Sequence, residues 1–270
     1  MDKENQHPTP NQDNEEFDWD AFFEEGPNEE WEEEKKRKQK RKSVIIKVVG
    51  SLLAFSLLIS GIQIWFQLFN IPAFNFIEAS NRLSKSPEVV EYKKSIVTIE
   101  TDGAKGTGFN IDPNGLIITN EHVVDKANKV KVYFKSGGSY VGEVISKDPA
   151  LDLAIVDIDA KNIPALHVSY KKDWERQIGQ EIIFIGNPLA FTQIANEGTI
   201  ANKVLIEDWN VPVMMIDAHI YKGNSGSPVI NQEGDVVGVI FATISSGESR
   251  KRVGVAVPSH YIKEVIDKRK

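Results

Sequence analysis

From Val44 to about Phe69 the chain is apolar almost without interruption, and the run is entered through seven basic residues within the eight positions from Lys35 to Lys42. Its strongly polar members are only Lys47 near the start and Gln63 and Gln67 near the end. The central stretch, Val48–Phe66, matches the roughly 20 residues that cross a bilayer core. Trp65 and Phe66 fall where an interfacial aromatic belt would sit. A helix buried in a protein core is the competing reading. A cleavable signal peptide fits poorly, because residues 1–43 are hydrophilic and no convincing small-x-small cleavage site follows the run. Residues 44–69 therefore read as an uncleaved signal anchor, with the lipid bilayer as partner. Beyond it, residues 70–86 hold only Arg82 and Lys85, so the asymmetry in basic residues predicts a single-pass cell-membrane protein with its N-terminus in the cytoplasm. Everything after the span is then extracytoplasmic.

Residues 1–43 contain 14 acidic and 8 basic side chains, which leaves 25 acidic and 24 basic for the rest. The body is close to neutral, so charge gives no argument for nucleic acid as a partner. Rich in Pro, Asn, Gln and acids, the tail cannot bury enough apolar surface to offset ordering and is expected to be disordered over 1–43. Phe17, Trp19, Phe22, Phe23 and Trp31 lie among the acids, either as a short motif for a basic groove or as stray aromatics. The chain has no cysteine, which excludes disulfides, thiolate metal sites and a thiol nucleophile.

After a linker over 70–87 the texture changes. Ser86, Pro87 and Glu88 read as the start of a short helix over Val89–Lys94. Twelve short β-rich runs then recur every eight to twelve residues, starting with Ser95–Thr101 and ending with Val253–Val257, separated by turn signals such as Pro113-Asn114-Gly115 and Gly137-Gly138. They fall into two sets of about six, divided near 160–178, which predicts an all-β domain of two barrels over 88–270. Trp174, in the polar connector, is expected to pack barrel against barrel. A single helix after Ser259 closes the chain.

Three places carry candidate chemistry. Lys222-Gly223-Asn224-Ser225-Gly226-Ser227-Pro228 sets a hydroxyl between glycines, where a sharp turn can uncover the serine oxygen and aim N–H groups at a reacting carbonyl. Turns also use Gly, Asn and Ser for their own conformational reasons. His122 ends the apolar strand Leu116-Ile117-Ile118-Thr119, where a satisfied surface histidine is the plain alternative. Asp152 interrupts an otherwise apolar run, Ala150 to Val156, and is either a buried acid needing a donor or a turn residue. Together they supply a nucleophile, a general base and an acceptor to orient that base. The remaining histidines, His7, His167, His219 and His260, are scattered without ligand spacing, so no metal is expected. Gly103–Gly108 leads into a strand and lacks either nucleotide-loop spacing, so no cofactor is expected.

Over residues 88–268 the chain resembles the trypsin-fold serine proteases of the HtrA/DegP type. The matching blocks are Gly106-Thr107-Gly108-Phe109, Thr119-Asn120-Glu121-His122-Val123-Val124, Asp152-Leu153-Ala154, Gly186-Asn187-Pro188, Gly223-Asn224-Ser225-Gly226 and Val253-Gly254-Val255-Ala256-Val257-Pro258. The resemblance implies two six-stranded antiparallel barrels of the chymotrypsin type, with His122 and Asp152 from the first and Ser225 from the second. It implies peptide-bond hydrolysis in unfolded or damaged exported proteins, and it allows a homotrimer. Gly223 and Ser225 would supply oxyanion N–H groups from a loop that also holds Asn224. Ile220, Tyr221, Lys222, Val239, Ile240, Phe241, Ala242 and Thr243 would wall an apolar specificity pocket that favours small or medium aliphatic residues. Family members usually have glycine where this chain has Ser227, so a changed hydrogen bond is expected there. Only 45 residues follow Ser225, too few for the PDZ domain that the family commonly appends. Two readings from other classes remain: a catalytically silent, protease-fold protein that binds peptides or senses stress, and a signalling protein acting through its acidic-aromatic tail.

Overall fold

The computed structural model describes residues 29–68, 72–188, 191–207, 209–246 and 251–268. The expectation of disorder over 1–28 lies outside them. The chain divides into two units, 1–70 and 71–270.

Among the described residues the first unit holds one helix, α1 (Glu29–Leu68), so residues 29–43 are helical where the sequence suggests disorder. Three local effects favour the extension. Glu29, Glu30 and Glu32 occupy the first turn, where the helix dipole favours anions, and Glu34 pairs with Lys38 at 3.1 Å one turn on. Lys35 lies over the Trp31 ring at 4.7 Å. The apolar span supplies a nucleated helix onto which these turns propagate. From Val44 to Ile62 the large apolar side chains are exposed, and the helix is long and apolar enough to cross a membrane, with mean hydropathy 2.2 over an 18-residue stretch.

The second unit opens with α2 (Pro72–Leu83), inside the stretch expected to be linker. It docks on the second barrel: the Ser80 hydroxyl, buried, accepts the Ala195 N–H at 3.1 Å, and Arg82 pairs with Glu197 at 2.5 Å. Next comes α3 (Pro87–Lys94), with Ser86 as its N-cap residue.

Strands β1 (Ile96–Glu100), β2 (Lys105–Asp112), β3 (Leu116–Thr119), β4 (Lys129–Phe134), β5 (Ser139–Asp148) and β6 (Leu153–Asp157) close in the order β1-β2-β3-β6-β5-β4. Strands β7 (Glu181–Gly186), β8 (Ile194–Val204), β9 (Val213–Asp217), β10 (Pro228–Ile230), β11 (Val236–Ser246) and β12 (Lys251–Pro258) close as β10-β11-β12-β9-β8-β7. Between β3 and β4 lies the single turn α4 (Glu121–Val124), and α5 (His260–Asp267) ends the described chain.

The core follows the two-residue period of the strands. Val97, Ile99, Ile117, Ala154 and Val156 fill the first barrel. Their neighbours Ile96, Ile118, Leu153 and Ile155 face outward into a second cluster, shared with Ile185, Val213, Val236, Val239 and Val257 of the other barrel and with Ile262 and Val265 of α5. These strands are buried on both faces, which is why they read as continuous apolar runs. Trp174, expected between the barrels, instead joins Phe184, Ile200, Met214 and Ile216 in the core of the second. The 3₁₀ turn Trp174–Gln177 tips the indole inward just ahead of β7.

Phe109 on β2 is fully buried in the shared cluster. Phe109→Ala should cost about 3–5 kcal/mol, the usual loss for a buried phenylalanine. Urea unfolding of the full chain in detergent, compared with the parent, measures it.

Candidate active site

His122 is placed by the one-turn helix α4, entered from Asn120 in an extended conformation. The sequence reading put this histidine at a strand end; β3 in fact stops at Thr119, and the turn lifts the imidazole clear of the sheet. Asp152 holds it twice. One carboxylate oxygen accepts the His122 backbone N–H at 2.9 Å, and the other lies 2.7 Å from ring Nδ1. Asn120 donates from Nδ2 to the Asp152 carbonyl at 2.8 Å, which fixes the carboxylate's own backbone. Asp152 sits in the turn before β6 with φ at +48°, a left-handed conformation that aspartate tolerates better than most residues. The turn reading of this acid and its role as acceptor are therefore compatible. With an ionised carboxylate facing Nδ1, that nitrogen carries the proton and Nε2 presents the lone pair.

The hydrogen bond from Asp152 holds the His122 pKa above its ordinary value of 6.5. Partial burial opposes the shift, and the nearby charges of Asp152 and Glu121 reinforce it.

Ser225 lies in the second of two consecutive tight turns. The Asn224 N–H donates to the Tyr221 carbonyl at 3.0 Å, and the Ser227 N–H donates to the Asn224 carbonyl at 3.0 Å. Gly223 (φ +100°) and Gly226 (φ +83°) take the third position in each, where positive φ calls for glycine. Space demands glycine too: a Cβ on Gly226 would lie 1.9 Å from the Thr107 carbonyl oxygen, and one on Gly223 would lie 2.3 Å from the Asn187 carbonyl oxygen. The Gly226 N–H donates to the Ile240 carbonyl at 2.8 Å. Of the five N–H groups from Gly223 to Ser227, only those of Gly223 and Ser225 make no hydrogen bond among the described residues. They are two adjacent, uncommitted donors beside the Ser225 hydroxyl.

Asn224 belongs to this loop, but Tyr221 consumes its backbone N–H, and its wholly buried side chain has neither Nδ2 nor Oδ1 hydrogen-bonded among the described residues. The Ser227 hydroxyl, expected to make an altered hydrogen bond, makes none among the described residues. A Cβ on Gly186 would collide with both the Ser227 oxygen and Asn224 Oδ1, so β7 lies directly beneath the loop. Ser225 Oγ likewise makes no hydrogen bond to the His122 ring among the described residues; such contacts commonly tighten only when substrate is bound.

Beside Ser225 opens a cleft of about 300 Å³ lined by Ile220, Tyr221, Lys222, Ile240, Phe241, Ala242, Thr243 and Arg252. Val239, expected on its wall, is instead fully buried in the core shared by the barrels, one residue out of phase with Ile240. Arg252, absent from the sequence reading, donates to Thr243 Oγ1 at 2.9 Å. Trp209 stacks on Phe241 with ring centroids 4.6 Å apart. A larger cleft, about 480 Å³, lies among Arg82, Leu83 and strands β7, β8 and β10, and contains none of His122, Asp152 and Ser225.

Residues 106–239, which include all three of these residues, match the family model for a trypsin-like peptidase domain. A probable periplasmic DegP-like serine endoprotease of Chlamydia muridarum is 37% identical over 172 residues, covering 62% of this chain and 34% of that protein. The chain carries a trypsin-like peptidase domain with homologues of the DegP/HtrA type. The serine endoprotease of Yersinia pestis has a similar structure (TM-score 0.59, 25% identity, covering 67% of this chain and 65% of that one). So does the inactive form of Rv3671c from M. tuberculosis (TM-score 0.59, 25% identity, covering 69% and 91%). The peptidase chain spans between 34% and 39% of the length of the first curated relatives it matches.

Because the folded-state pKa of His122 is raised, its charged pair with Asp152 stabilises the fold at pH below about 6.5. That contribution disappears as pH rises through the higher folded value. An NMR titration should place the imidazole midpoint above 6.5 in the parent and lower in Asp152→Asn, and the substitution should cost more stability at pH 5 than at pH 9.

Proposed function

We propose that this chain is a membrane-anchored serine endopeptidase, held by residues 44–69 with its peptidase domain outside the cytoplasm. His122 Nε2 takes the proton from Ser225 Oγ as that oxygen attacks the scissile carbonyl. The oxyanion so formed is received by the N–H groups of Gly223 and Ser225. Asp152 keeps the Nδ1 proton in place and stabilises the imidazolium. Collapse of the tetrahedral species breaks the C–N bond, His122 returns the proton to the departing amine, and water cleaves the acyl-enzyme by the same route. Unfolded or damaged exported polypeptides are the proposed substrates.

The observation that carries this reading is the pairing of an oriented base with two unspent donors. The double hold of Asp152 on His122 comes from the first barrel. The free N–H groups of Gly223 and Ser225 come from the second. The cleft supports an apolar preference: Ile220, Ile240, Phe241 and Ala242 line it, and the charges present, Lys222 and Arg252, are cations that repel a basic substrate side chain.

Ser225→Ala should abolish labelling by a fluorophosphonate probe and lower cleavage of unfolded casein by about four orders of magnitude or more. Equal labelling of parent and variant would sink the reading. Among peptide amides differing at the residue before the cut, Ala or Val should exceed Lys or Arg at least tenfold in kcat/KM, with the reverse order removing the pocket assignment.

A further inference from the structure

The N–H groups of Gly223 and Ser225 are free, but the carbonyls of the same two residues are not, and one residue of the other barrel holds both. Thr107 on β2 is fully buried, on the face of the strand that also carries Phe109 into the shared core. Its hydroxyl donates to the Gly223 carbonyl at 2.7 Å, and its backbone N–H donates to the Ser225 carbonyl at 2.9 Å. Its own carbonyl accepts the Thr119 hydroxyl at 2.7 Å.

The direction of the first bond is fixed by counting protons. A hydroxyl has a single proton to give. Thr107 Oγ1 also faces the Asn187 backbone N–H at 2.9 Å, a group that can only donate. The hydroxyl therefore accepts from Asn187 and spends its one proton on Gly223. Asn187 is nearly buried and held on both sides: its Nδ2 donates to the Val97 carbonyl at 2.9 Å, and its Oδ1 accepts the Gln193 N–H at 2.9 Å. Gln193 in turn donates to the Lys93 carbonyl at 2.7 Å and the Ile96 carbonyl at 3.1 Å. A buried line of hydrogen bonds thus runs from the end of α3 through Gln193, Asn187 and Thr107 to the carbonyl of Gly223.

We propose that Thr107 is a positioning residue for the oxyanion donors, fixing the Gly223–Ser225 loop by its two carbonyls so that the two N–H groups face the substrate. The inference rests on the assignment of those groups as oxyanion donors. A loop not held in this way is free to turn a carbonyl toward the place where negative charge develops, which raises the barrier without blocking substrate binding.

The test compares Thr107→Val, which keeps the shape and removes the hydroxyl, with Thr107→Ser, which keeps the hydroxyl, in the full chain in detergent. Thr107→Val should lower kcat by about 10- to 100-fold with KM within about threefold of the parent. It should weaken inhibition by a peptide aldehyde, whose adduct carries the oxyanion, by a similar factor, and Thr107→Ser should restore both to within a few fold. If the valine variant does not fold, Thr107→Cys replaces it; its weakly donating thiol should cost about tenfold in kcat at unchanged KM. A kcat within twofold of the parent in the folded variant overturns the proposal. So does a loss that the serine variant fails to restore. If Ser225→Ala is dead while these variants are fully active, only the role of Thr107 falls. If the parent neither labels nor cleaves, both readings fall.

Discussion

Two closed barrels share one apolar seam, and the arrangement of the site depends on it. Strands β1, β3 and β6 of the first barrel and β7, β9, β11 and β12 of the second are apolar on both faces, so they can be satisfied only by packing against each other. Each barrel closes on itself, which pairs most of its strand backbone within its own sheet. What crosses the seam is side chains and a small number of polar contacts. In an apolar setting those contacts must be fully matched, since an unpaired buried group costs about 1–3 kcal/mol. The contacts of Thr107, Asn187 and Gln193 meet that demand, and they place the Ser225 loop of one barrel against β2 of the other.

The elements legible in the sequence were those with strong local signals. Twelve β-rich runs divided by turn residues gave two sets of six strands, and both sets close as barrels. His122 was picked out as the end of an apolar strand, Asp152 as an acid inside an apolar run and Ser225 as a hydroxyl between glycines, and the fold brings His122 and Asp152 into direct contact. Extra helix was harder to see. The stretch 29–43 has the composition of a solvated tail, yet its acids fill the first turns and its bases follow one turn on, which supports helical turns once a neighbouring helix exists. Residues 72–83 read as linker because the helix there is stabilised by the barrel it docks on rather than by its own pattern.

Register decided the rest. Val239 and Ile240 are equally apolar in sequence, but strand alternation sends one into the core shared by the barrels and the other into the core of the second barrel, where it also borders the cleft. Arg252 reaches the cleft because β12 pairs with β11, a relation between residues that sequence order does not reveal. Trp174 looked like a natural filler between the barrels, and a 3₁₀ turn ahead of β7 directs it into one of them instead. Thr107 was visible only as a member of a matching block. Its work requires three partners, Gly223, Ser225 and Asn187, that lie far from it along the chain.

The docking of α2 has a mechanical consequence. Ser80 and Arg82 tie this helix to β8, through Ala195 and Glu197, before the chain enters either barrel. Any tension carried by the segment ahead of residue 72 is therefore borne first at β8, a strand flanked by β7 and β9 within a closed cylinder. The first barrel lies downstream of that attachment, so the histidine and its carboxylate are shielded from the pull.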